Sequence, residues 1–182
     1  MKGTLFKWFF LWAATMILGL TLFWAFGPKA KKIDLNEISY NTTESSTLYF
    51  RNMRAYFYDL NDDEKSGFNI YRIGSREKTE SKLHFMIIHN WRLNEAYIML
   101  ESDLIDIEKE NLSLILVSDT LALEAKDAEA NYTFAAKLFE ALERGSEVAL
   151  ISGSDEFSFS ESELKSIKKS LKDYFKLVGK LR

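Results

Sequence analysis

The stretch HFMIIHNWRLNEAY, His84 to Tyr97, holds both histidines of the chain together with Asn90, Arg92 and Glu95, and its residue types come nearest to acid–base chemistry. His89 is the candidate general base, with Glu95 as a carboxylate able to orient it and Arg92 close by. Residues five apart in a strand point to opposite faces, so His84 and His89 are not expected to share a metal ion. A second grouping, DLNDDEKSGFNI, places Asp59, Asn61 and Asp63 at the first, third and fifth positions of a calcium-loop pattern. The pattern then fails, with Glu64 where the turn glycine belongs and Ile70 where the bidentate glutamate belongs. A solvated hairpin loop is expected there, and neither metal nor cofactor is expected anywhere in the chain. Phosphate-binding glycine loops, nucleophile elbows and histidine–glutamate zinc helices are missing, and there is no cysteine to act as a nucleophile.

Charge narrows the partners. The formal net charge is -3 and no aromatic stacking motif interleaves with the basic residues, so nucleic acid is not an expected ligand. Between Glu101 and Glu129 nine acidic side chains face two lysines, a docking surface for a basic partner or the polar border of a buried strand. Arg51, Arg54, Arg72, Arg76 and Arg92 all fall in the first half of the domain, although strand alternation puts Arg51 and Arg54 on opposite faces. The final helix carries Lys165, Lys168, Lys169, Lys172, Lys176 and Lys180 opposite its apolar stripe; such helices rest on anionic membranes or, more simply, cover a sheet.

The elements that must position these residues divide the chain in three. Trp8 to Phe26 is nineteen residues without a charge, which as a helix would cover roughly 28 Å. That reads as an uncleaved signal anchor over residues 1–28, a single-pass transmembrane helix. Trp8 and Trp24 fall at its two interfaces and Trp12 one turn deeper, while Thr15 and Gly19 offer a small-xxx-small face to a partner helix. A seven-residue head before one long apolar segment is the build of an exported domain, which would place it outside the cytoplasm at the cell membrane. A polar tether, 29–46, leads to a soluble domain, 47–182, of a size suited to one core.

Periodicity then predicts strands in TLYFRNMRAYFYDL (Thr47 to Leu60), FNIYRIG, KLHFMIIHN, AYIMLES, LSLILVS and EVALIS. Helices are predicted from a cap at Asn131 to a stop at Gly145, and from a Ser160/Glu163 capping box along Leu164, Ile167, Leu171, Tyr174, Phe175, Val178 and Leu181. The expected fold class is a single amino-terminal transmembrane helix followed by one α+β domain, a mostly antiparallel sheet of about five to six strands with two helices on one face. The functional expectation is a non-catalytic, membrane-anchored interaction domain, an accessory or assembly subunit of a larger membrane protein complex, with the bilayer and integral membrane proteins as partners. The alternative is a membrane-tethered small-ligand binder or hydrolase with a pocket near His89, Arg92 and Glu95.

Overall fold

The computed structural model describes residues 8, 11–19, 21, 32–63, 65–73, 83–107, 112–116, 119–123, 126–152 and 155–181. The chain divides into two compact units, Met1–Ala30 and Lys31–Arg182. In the first, residues 8, 11–19 and 21 are helical (α1). Among the described residues no helix is long and apolar enough to cross a membrane, which corrects the expected transmembrane span. Trp8 and Trp12 are exposed, and Thr15 turns its hydroxyl onto the Trp12 carbonyl at 2.8 Å. Among the described residues nothing comes within 4 Å of a Cβ placed on Gly19, and Trp24 lies outside the described residues.

The second unit opens with a correction of its own. Thr47 to Leu60 is not one long strand: α2 (Glu44–Tyr49) runs into a π-helical segment (Phe50–Arg54) and a 3-10 turn (Ala55–Phe57) before β1 (Tyr58–Asp63) begins. Thr43 and Ser46 close a reciprocal capping box at its start, satisfying amide groups that a strand would have offered to a neighbour. Ser46 also donates to the Leu177 carbonyl at 2.7 Å, pinning the first turn to the end of the last helix.

β1 is followed by β2 (Phe68–Ile73), β3 (His84–Asn90) and β4 (Glu95–Glu101), an antiparallel meander in chain order. A second antiparallel sheet contains β5 (Leu112–Leu116), β6 (Asp119–Ala122), β7 (Val148–Ser152) and β8 (Asp155–Ser158) in the order β6-β5-β7-β8. Two sheets of four strands therefore replace the expected single sheet of five to six, while the α+β class stands. Edge occupancy supplies the reason. β5 is flanked on both sides by β6 and β7. The free edge of β4 is taken by the segment read as a tether, where Ala96 N–H donates to the Tyr40 carbonyl at 2.8 Å and Thr42 N–H to the Asn94 carbonyl at 2.7 Å. Residues 40–42 thus occupy the first end of the β4 edge, through a bridge between Asn41 and Glu95, while β5 takes both of its neighbours from the second sheet.

Helix α3 (Ala128–Glu143) starts one turn before the predicted cap, because Asp127 and not Asn131 accepts the first free amide. Asn131 is buried instead, accepting from Leu100 N–H at 2.9 Å and donating to the Asp127 carbonyl, so that it joins the helix to β4. Gly145, at φ +75°, ends the helix in the left-handed conformation that glycine adopts without strain. Helix α4 (Glu161–Leu177) has the Ser160/Glu163 capping box. α3 packs on β4 and β6, and α4 on β3 and β4, so the helix layer ties the two sheets together. Phe85, Ile87 and Ile98 from the first sheet, Leu114 and Leu150 from the second, and Phe139 and Phe175 from the helices belong to one continuous buried cluster.

Candidate functional site

The three residues singled out in the β3–β4 hairpin do not converge. His89 sits on the helix-facing side of β3, only 4% exposed, between Asn69 and Ala96 on the flanking strands. Glu95 faces the opposite side of the sheet and accepts a short hydrogen bond from the Tyr97 hydroxyl. Arg92 lies in the exposed turn that Asn90 builds by accepting the N–H groups of Arg92 and Leu93 at 3.1 and 3.2 Å. Its side chain crosses over Gly67, where a Cβ would come within 2.7 Å of Arg92 Cδ, so that glycine is required for close approach as well as for its φ of +79°. Burial, and secondarily the charge of Arg51, hold the His89 pKa below the usual imidazole value, and its Nε2 has no hydrogen-bond partner among the described residues. A buried neutral ring separated from its intended carboxylate by the sheet itself is a core residue. His84 points to the face opposite His89.

The calcium-like residues are equally dispersed. Asp59, Asn61 and Asp63 alternate along one face of β1, about 7 Å apart at each step, and so cannot gather round one ion. The turn begins only after Asp63, which accepts from the Ser66 hydroxyl at 2.5 Å and the Ser66 N–H at 3.2 Å. Among the described residues no group of three or more histidine, aspartate or glutamate side chains is placed to hold a metal.

Sequence reasoning missed a different cluster. On the face of the first sheet away from the helices, Arg72 grips Glu101 with two bonds, Nε to Oε2 at 2.7 Å and Nη2 to Oε1 at 2.8 Å, while His84 Nε2 meets Glu101 Oε2 at 3.1 Å. Only strand register joins residues so far apart in the chain, because His84 stands directly opposite Glu101. Together with Met86, Met99 and Ile105 they line an open cleft of about 780 Å³. Glu101 has both oxygens occupied and Asn131 bonds to the backbone of Leu100 and Asp127, whereas His84 Nδ1 is buried without a hydrogen-bond partner among the described residues. The hydrogen bonds of His84, then of Arg72, hold the Glu101 pKa at about 2 instead of the ordinary 4.5. A carboxylate with a depressed folded-state pKa contributes stability that is fully present above about pH 4.5 and is lost as pH falls toward 2. Allowing for solvent screening at partly exposed side chains, the cluster contributes on the order of 1–2 kcal/mol at neutral pH. Urea titrations of Glu101→Gln at several pH values are expected to show that loss at pH 7 and a flattened profile between pH 4.5 and 2; an unchanged profile would assign the slope to other carboxylates.

Within the second unit, exposed large apolar side chains gather on the helical segment before β1. Leu48, Tyr49, Met53, Tyr56 and Phe57 are all exposed, with Met53 60% and Tyr56 79% accessible, and Leu60 extends the strip onto β1. The backbone explains the orientation. The Ala55 N–H bonds to the Phe50 carbonyl in the wider π pattern, so buried Phe50 shares its side with half-buried Arg54 and Ala55 while Met53 and Tyr56 turn outward. Beneath the strip, Arg54 forms a two-bond ion pair with Asp173 of α4, at 2.8 and 2.9 Å, and the Tyr58 hydroxyl donates to the same carboxylate at 2.9 Å. Burial, followed by the Asp173 charge, drives the Tyr58 pKa far above the phenol range. The strip is thus a set of outward apolar side chains held on a rigid base. Comparison of the chain with protein-family models, with curated proteins and with solved structures finds no match.

Proposed function

We propose that this chain is a non-catalytic interaction domain working at a membrane, an accessory or assembly subunit of a larger membrane protein complex. The exposed apolar strip from Leu48 to Leu60 carries the reading. Contiguous exposed apolar surface on a folded domain is kept where a partner covers it. The dispersal of His89, Arg92 and Glu95, and the engagement of both Glu101 oxygens by Arg72 and His84, weigh against the hydrolase alternative, since a catalytic carboxylate must be free to meet a substrate.

The chain has no cysteine, so a single Tyr56→Cys substitution installs a unique thiol in the strip, and Glu156→Cys on the exposed edge strand of the second sheet serves as control. In open fragments of the native membrane, a bulky hydrophilic maleimide is expected to modify Tyr56→Cys several-fold more slowly than in the detergent-purified protein, and Glu156→Cys at similar rates in both. Equal modification at residue 56 in membranes and in detergent would sink the reading.

A further inference from the structure

Resting on that reading, we propose that the surface covering the strip is an anionic lipid bilayer, entered by Met53, Tyr56 and Phe57 and held by a row of lysines on α4. Lys165, Lys169, Lys172 and Lys176 follow one another at steps of four, three and four, so they form one stripe along the helix that packs against α2 and the π segment. Their placement beside the apolar side chains is direct: Lys169 Nζ stands 3.3 Å from the centroid of the Phe57 ring, and Lys176 Nζ 5.6 Å from that of Tyr49. Arg54 also lies over Phe57, at 5.1 Å.

Lysine ammonium groups held against aromatic rings, at the edge of an apolar surface, suit the boundary between acyl chains and headgroups. Lys165 is paired with Glu161, and Arg54 with Asp173. Lys169, Lys172, Lys176 and exposed Arg51 remain as the cationic border, in a chain whose formal net charge is -3. Such concentration of positive charge around apolar side chains, against the sign of the whole molecule, complements a negative headgroup layer. Burial, then the neighbouring Arg54, lower the Lys169 pKa against the opposing pull of the Asp173 carboxylate, which is itself paired with Arg54.

Apolar side chains exposed elsewhere, Leu11, Trp12 and Ile17 among them, also bind vesicles, so bulk binding does not read the strip, whereas a fluorophore on the Tyr56→Cys thiol does. The full chain is incorporated into vesicles of phosphatidylcholine alone or with one third phosphatidylglycerol, and aqueous iodide quenching of the label is compared. Quenching is expected to fall several-fold only in the anionic vesicles. With Lys169, Lys172 and Lys176 all changed to glutamine the contrast is expected to disappear, since three lysines near a charged surface account for on the order of a tenfold or greater shift in partitioning. Equal shielding in both lipids would overturn the anionic preference, and full quenching in both would overturn the bilayer as the covering surface. In that last case maleimide protection of the same thiol in native membranes separates the two ideas: protection there means that a protein covers the strip and leaves the interaction reading standing, whereas reactivity there removes both.

Discussion

Replacing Phe175 with alanine is expected to lower the unfolding free energy by about 4 kcal/mol, the upper range for a fully buried aromatic side chain. Phe175 is completely inaccessible on α4, with its ring centroid 5.5 Å from Tyr132, 5.7 Å from Phe139 and 5.1 Å from Tyr174. Two of those neighbours belong to α3, so the ring is where the helices meet above the first sheet. Removing it withdraws the transfer free energy of the side chain and leaves a cavity walled by other rings, which cannot collapse without moving whole helices. Phe175→Leu fills most of the space and should cost about 1–1.5 kcal/mol. Tyr56→Ala, at a position 79% exposed, should change stability by less than about 0.5 kcal/mol. Urea unfolding of the three variants tests the ranking; a Tyr56→Ala loss comparable to that of Phe175→Ala would mean that the strip belongs to the core.

Asp173→Ala is expected to cost about 3 kcal/mol, through a different mechanism. Asp173 is 3% exposed and receives three donors, two from Arg54 and one from the Tyr58 hydroxyl. Deleting the carboxylate leaves a buried phenol hydroxyl without that acceptor and a half-buried guanidinium without its counter-charge, and breaking a buried pair from one side is costlier than replacing both partners. Arg54→Met combined with Asp173→Leu should therefore recover a substantial part of the loss. Because Arg54 ends the π segment, Asp173→Ala should also loosen the strip, seen as faster amide exchange at Met53 to Phe57 than in Phe175→Leu. A single variant as destabilised as expected, with exchange in that segment unchanged, would show that the ion pair supports stability without positioning the strip.

The readable parts of the fold were those where burial follows one regular period. Along α4 the apolar residues recur at three and four, and Ile167, Leu171, Tyr174 and Phe175 are all buried behind the Ser160/Glu163 box. The same reasoning fails for residues 44–57, whose apolar side chains are divided between a buried side and an exposed one. Their aromatic spacing imitates strand alternation, and nothing local reveals that Met53 and Tyr56 face outward. What conceals the strip from periodicity is what makes it a docking candidate: it violates the inside–outside rule. The split into two sheets depends on residues 40–42 reaching the edge of β4, a non-local event without a sequence mark. Arg72, His84 and Glu101 likewise meet only through register, and Arg54 meets Asp173 only through packing of distant elements. Apolarity alone predicted a membrane span at the amino terminus, whereas among the described residues no helix is long and apolar enough to cross a membrane.

The central claim is that the domain works as part of an assembly, and purification of the full chain from its native membrane tests it most directly. A carboxy-terminal tag, a mild detergent and mass spectrometry of the recovered material suffice. Integral membrane proteins recovered in fixed stoichiometry with the 21.1 kDa chain are the predicted result. Recovery of the chain alone, at the mass of a monomer, would contradict the account.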